Sequence, residues 1–184
     1  MPFDHFNFIA PFYNRIGTYS SLDIMVDAAA LPTRGILLDA GGGTGRVASA
    51  LLDQAAQIVV VDISLGMLRF AASKPGLRAA VAQSEHLPFS DSTFDRIIMV
   101  DAFHHVIHQA DTARELLRLL RPGGRIVIEE PDIRIFGVKL IALGEKMLLM
   151  RSHFLAPDQI AALFAPVRVY ILAKDSNAWI VVNK

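Results

Sequence analysis

A doubly wound α/β sheet of five parallel strands, closed by a C-terminal antiparallel hairpin, is the fold that the sequence predicts. Three observations predict it. From Gly35 onward, short β-branched runs alternate with helix-patterned stretches, as in a parallel sheet covered by helices. Runs such as Ile58-Val59-Val60-Val61 and Ile97-Ile98-Met99-Val100 are apolar without alternation, as strands covered on both faces must be. Near the C-terminus two β-rich runs are joined by Asp175-Ser176-Asn177, a connection of turn formers that reads as a hairpin.

The parallel strands are expected at Gly35 to Ala40, Gln57 to Asp62, Leu77 to Ala82, Phe94 to Val100 and Gly124 to Glu130. Val167 to Lys174 and Ala178 to Asn183 form the hairpin. Between the strands, Thr44 to Gln54, Ser64 to Ser73 and Gln109 to Leu120 read as helices. The last carries Ala110, Ala113, Leu116, Leu117 and Leu120 on one stripe, with Asp111, Arg114, Glu115 and Arg118 outside. Arg121-Pro122-Gly123-Gly124 stops it, because Pro cannot continue a helix and Gly supplies the turn. Phe136 to Leu155 is expected to be a covering helix whose apolar residues surround nearly the whole circumference, so that it requires burial on more than one side. Ahead of the sheet, Phe3, Phe6, Phe8, Phe12 and Tyr13 crowd together with no clean period.

At 184 residues, 53% hydrophobic and 20% charged, the chain fits a single domain, 1–184, able to bury roughly 70% of its unfolded surface. Eighteen Lys+Arg balance eighteen Asp+Glu, so no positive excess is available to neutralise phosphates, and no nucleic-acid partner is expected. The absence of cysteine removes disulfides, thiolate nucleophiles and Cys-ligated metals. The N-terminus lacks the basic start and apolar stretch of a signal peptide, which makes a cytoplasmic location the expectation. A mean hydropathy of +0.40 is high, yet no apolar run approaches the ~18 residues of a membrane span. The excess apolarity calls for a core, a ligand or a partner, a homodimer included.

The strongest chemical signal is Leu37-Leu38-Asp39-Ala40-Gly41-Gly42-Gly43-Thr44-Gly45, a strand running into four glycines and then a helix. Glycines at such a turn let a ligand approach the backbone, and the helix N-terminus offers N–H groups to an anion. A tight turn alone would account for one or two glycines. Gly43 to Ala48 satisfies the dinucleotide pattern G-x-G-x-x-A, with Asp62 near the spacing for a ribose hydroxyl, which admits a nicotinamide-dependent oxidoreductase. However, the loop is longer than that turn. Asp39, at the strand end, would oppose a pyrophosphate but suit an ammonium. A ligand with a ribose, an amino group and a carboxylate satisfies Asp62, Asp39 and the helix N-terminus together, and S-adenosylmethionine has all three.

On these residues the chain resembles the class I S-adenosylmethionine-dependent methyltransferases, and is similar to the small ubiquinone and menaquinone biosynthesis type. Asp39 to Gly45 looks like the family's acidic-x-G-x-G-x-G loop, Val61-Asp62-Ile63-Ser64 like its second-strand motif, and Ala82-Gln83-Ser84-Glu85-His86-Leu87-Pro88-Phe89 like G-D-A-E-x-L-P-F. Phe94-Asp95 with Asp101 to Val106 resembles F-D through L-H-H-V, and Leu120 to Arg125 resembles L-K-P-G-G. The resemblance implies a Rossmann-like sheet of order 3-2-1-4-5-7-6, with S-adenosylmethionine as cofactor. It divides the chain into an aromatic N-terminal lid (1–34), a cofactor-binding core (35–130), and a cover helix with hairpin (131–184). It also implies cofactor-binding roles for Asp39, Gly41, Gly43, Gly45, Asp62, Ile63, Met67, Gln83, Ser84 and Asp101. Gln83 stands where relatives carry Asp beside the adenine amino group. Its carbonyl can accept the same hydrogen bond without charge assistance.

A small, apolar methyl acceptor should meet the ends of the fourth and fifth strands, where Asp101, His104, His105, Glu129, Glu130 and Asp132 fall. The sulfonium methyl is already activated, so a base is needed only if the acceptor holds a proton. His104 and His105 are the candidates, since histidine titrates near neutral pH; either could instead cap the following helix or bond a backbone carbonyl. No metal is expected, although His104 and His108 would face one side of a helix if one formed there. A noncatalytic module that keeps the cofactor site for a partner is a further alternative.

Overall fold

The computed structural model describes residues 19–147 and 152–184. The aromatic run Phe3 to Tyr13, and Leu148 to Met150 of the expected cover helix, lie outside the described residues. Seven strands form one sheet of order β3-β2-β1-β4-β5-β7-β6. They are β1 (Thr33–Ala40), β2 (Ala55–Asp62), β3 (Leu77–Val81), β4 (Phe94–Val100), β5 (Leu120–Pro131), β6 (Arg168–Lys174) and β7 (Asn177–Asn183). The first five run parallel, and β7 lies antiparallel between β5 and β6. Helices are α1 (Leu22–Ala28), α2 (Arg46–Ala50), α3 (Leu65–Ala72), α4 (Gln109–Leu119), α5 (Phe136–Met147) and α6 (Pro157–Ala162).

The unalternating strands divide their side chains between two cores, one per face. Leu38, Val59, Ile97, Met99, Ile126 and Ile180 join Ala113, Leu116 and Leu119 of α4 on one side. Leu37, Ile58, Val60, Ile98 and Val127 meet Met25, Val47 and Leu68 of α1, α2 and α3 on the other. This two-sided burial is why the strands read as continuous apolar runs.

Several boundaries differ from expectation. The helix expected from Thr44 to Gln54 is the five-residue α2 followed by a 3₁₀ turn at Leu52–Gln54. On α4 the buried stripe is Thr112, Ala113, Leu116 and Leu119, whereas Ala110 faces solvent. Arg121 to Gly124 do end that helix, but as an irregularity inside β5: pairing jumps from Phe94↔Leu120 to Arg96↔Arg125. The hairpin turn has two residues rather than three, because Lys174 pairs with Asn177; Asp175 takes the positive φ of 54°. Residues 152–156 are irregular, so no helix continues to Leu155. Nor is α5 packed deep within the protein. Val138 is buried, while Phe136, Leu140, Ile141 and Leu143 are 74, 55, 56 and 55% exposed. Finally, α1 was not expected; Met25 and Ala28, three apart, seat it on the sheet.

Candidate active site

A cleft of about 390 Å³ opens at the carboxyl ends of β1, β2, β3 and β4. Of the ten predicted cofactor-binding residues, Asp39, Gly41, Gly43, Asp62, Ile63, Met67, Gln83, Ser84 and Asp101 line it. Gly45 does not. It caps α2 at φ +72°, and an added Cβ would stand 2.8 Å from Leu77 and 3.2 Å from Ala71. Its glycine is needed for packing α2 and the loop against β3 and α3.

The glycine loop is strapped to its own protein. The Gly41 and Gly42 amides both donate to the Val61 carbonyl, at 2.7 and 3.1 Å, and the Gly45 amide donates to Gly42. The Gly43 amide donates to Asp62 Oδ2 at 2.9 Å, and the Ser64 amide to Asp62 Oδ1 at 2.8 Å. These four loop amides are therefore engaged internally, and the five-residue α2 supplies little dipole to an anion at its N-terminus. Asp62, by contrast, is aimed by these bonds. A carboxylate so placed suits a vicinal diol.

Asp39 is 1% exposed, and neither of its oxygens has a hydrogen-bond partner among the described residues. Burial pushes its carboxyl up to about 7; the nearby Ala48 backbone amide, too poorly aligned for a full hydrogen bond, pulls it back, Asp62 adds to the rise and Arg46 opposes it. A buried, unpartnered carboxylate in a cleft wall is a ready counter-charge for an ammonium group. Asp101 lies across the cleft at φ +51°, its amide donating to the Glu129 carbonyl at 3.0 Å. Burial, then Glu130 and Glu129, push its carboxyl up to about 6. Met67 is buried and Ile63 is 61% exposed, so the end of the cleft beyond β2 has an apolar floor and rim. Gln83 is exposed and its backbone bridges to His86.

The two histidines separate. His105 lines the cleft and its Nδ1 lies 3.3 Å from Ser152 Oγ. Burial, and then the neighbouring His104, hold its imidazole down at about 3, so it is neutral at physiological pH rather than poised near it. His104 does not line the cleft. It is 5% exposed, its Nδ1 lies 2.5 Å from Glu130 Oε2, and its ring stacks on Phe154 at 4.2 Å. Glu130 also accepts from the amides of Ala102 and Phe103, at 3.0 and 2.7 Å, which ties β5 to the turn after β4. Phe103–His105 is a 3₁₀ turn and His108 caps α4, so His104 and His108 share no helix. Among the described residues no group of three His, Asp or Glu could hold a metal.

Glu129 and Asp132 also turn away from the cleft: Glu129 bonds Tyr19 and Asn177, and Asp132 pairs with Arg134. Sequence reasoning passed over Arg46, Met99, Val106 and Ile107, all in the lining. Only Arg46 carried a signal, as the first residue after the glycine loop.

A family model described as a methyltransferase domain matches residues 38–128. A demethylmenaquinone methyltransferase from Clavibacter sepedonicus is 33% identical over 186 residues, covering 95% of this chain and 74% of that protein. One of the same description from Paenarthrobacter aurescens is 30% identical, covering 68% of this chain and 53% of its own. The chain thus spans about half the length of several curated relatives it matches. A solved S-adenosylmethionine-dependent methyltransferase from Thermotoga maritima superposes with a TM-score of 0.79 at 23% identity, covering 97% of this chain and 98% of that one.

Proposed function

The chain belongs to the class I S-adenosylmethionine-dependent methyltransferases, and on that premise we propose that it methylates a small apolar acceptor of quinone-like ring chemistry. The observation that carries this reading is Asp39, a buried carboxylate with no hydrogen-bond partner among the described residues, in the wall of a cleft that continues to apolar Met99, Val106 and Ile107. Asp39 would take the cofactor's ammonium, Asp62 its ribose hydroxyls, and Ile63, Met67, Gln83 and Ser84 its purine. When bound, S-adenosylmethionine supplies an activated methyl group. Among the described residues no helix is long and apolar enough to cross a membrane. The names of the relatives support a quinone-type ring.

Neutral His105, fixed by Ser152, would accept a hydrogen bond from an acceptor hydroxyl and so orient the ring. His104 would hold that turn through Glu130. Calorimetry with S-adenosylhomocysteine and NAD, followed by incubation with labelled S-adenosylmethionine and a demethylated naphthoquinol, tests the reading. Binding of S-adenosylhomocysteine and not NAD, with label in the naphthoquinol, is the expected result. Selective NAD binding would overturn the cofactor assignment. Cofactor binding without label transfer would overturn the acceptor.

A further inference from the structure

The cofactor reading, on which this inference rests, requires a partner for a carboxylate as well as for an ammonium. The glycine loop provides little: its amides at Gly41, Gly42, Gly43 and Gly45 are engaged within the protein, which leaves that of Thr44, and α2 has only five residues. Among the described residues that line the cleft, Arg46 is the sole Lys or Arg. Its guanidinium makes no hydrogen bond among them, and the nearest carboxylate, Asp101, is 3.9 Å away, too far for an N–H···O bond. Among the described residues nothing engages its five N–H donors, which form a fork that matches a carboxylate.

What holds that fork in place is a second residue. The guanidinium carbon stands 5.6 Å above the centre of the Tyr19 ring, within reach of the ring's negative face. Tyr19 is 7% exposed, and its hydroxyl donates to Glu129, a carboxylate 2% exposed that also accepts from Asn177 at 3.0 Å. One end of the ring is thus anchored in β5 and β7, while its face carries the cation at the rim of the cleft. We propose that Arg46 binds the cofactor's carboxylate and that Tyr19, clamped by Glu129, is the positioning residue that aims it. The ammonium then goes to Asp39 and the carboxylate to Arg46, so the zwitterionic end of the ligand meets two opposite charges.

The test compares calorimetric affinities for S-adenosylhomocysteine and its decarboxylated counterpart, which keeps the amine, ribose and adenine. The unmodified protein should prefer the carboxylate-bearing ligand by about tenfold or more, as a charge-assisted fork predicts. In Arg46→Gln that preference should collapse through weaker S-adenosylhomocysteine binding, with the decarboxylated ligand held within about twofold. Arg46→Lys should recover part of it, because the charge remains without the fork. Tyr19→Leu should reproduce the collapse, and Tyr19→Phe, which keeps the ring but not its anchor, should fall between. A purely structural role would weaken both ligands alike, and that result would overturn the proposal. So would an unchanged ratio in Arg46→Gln, which decides the matter alone if Tyr19→Leu does not fold. Failure of the unmodified protein to bind either ligand would instead remove the cofactor reading beneath it.

Discussion

Around the ends of β1 and β2 the cleft wall is backbone, held in left-handed turns and strapped by main-chain hydrogen bonds. Beyond β5, by contrast, the chain presents α5, on which four large apolar side chains are more than half exposed. On the first side function depends on conformation and on one uncompensated charge, so small chemical changes should have large effects. On the second, the exposed side chains contact little, and comparable changes should be almost silent. Three substitutions probe that contrast.

The largest effect is expected at Asp39. Its folded-state pKa of about 7 lies above the ordinary value of 3.8, so the empty protein favours the protonated form. Relative stability is therefore greatest below about pH 4 and is lost as pH rises through 7. With about 1.4 kcal/mol per unit, the ionised group costs the empty protein on the order of 4 kcal/mol. Asp39→Asn removes that cost. Urea unfolding should show the variant more stable, by a margin about 2–3 kcal/mol larger at pH 8 than at pH 5. Its affinity for S-adenosylhomocysteine should nonetheless fall about tenfold or more, because the ammonium loses its counter-charge. Stability and binding moving in opposite directions is the signature of a charge retained for a ligand. A pH-independent margin would show that Asp39 ionises at its ordinary value in the folded protein, without a cost from burial.

Next comes Gly45, at φ +72° with Leu77 and Ala71 against the position of an added Cβ. Gly45→Ala should cost about 2–3 kcal/mol, from left-handed strain and the displaced neighbours together. Thermal unfolding of the empty protein measures it. A loss confined to ligand binding, with unfolding unchanged, would return Gly45 to the cofactor site.

The same contrast explains what the sequence disclosed. The parallel strands were legible because two-sided burial writes itself as unbroken apolar runs, and the loop because glycine marks where other residues would be strained; the sheet order came from the resemblance to the family. Asp39 and Asp62 were legible for the same reason: strand ends fix where a carboxylate stands. The partition between His104 and His105 was not, since it depends on Glu130 and Ser152, which lie 26 and 47 residues away in sequence. Arg46 stood next to the glycine loop, but its place over the Tyr19 ring joins residues far apart in sequence and so was not legible. The exposure of α5 was opposite to what its apolar circumference required, since composition states a need for burial without supplying the surface that meets it.

The smallest effect is expected on α5 itself. Leu140 is 55% exposed, whereas Val138, two residues earlier, is 2% exposed. A lysine at position 140 can keep its stem on the helix surface and its ammonium in water, and both residues are good helix formers. Leu140→Lys should therefore shift unfolding free energy by less than about 0.5 kcal/mol and leave S-adenosylhomocysteine affinity unchanged, as surface substitutions generally do. Chemical denaturation and calorimetry on the same preparation check both halves. A loss above about 2 kcal/mol would mean that Leu140 is buried in solution, as core substitutions of this size imply. The cleft wall and α5 would then be equally well packed, and the comparison would fail at the one position where it predicts silence.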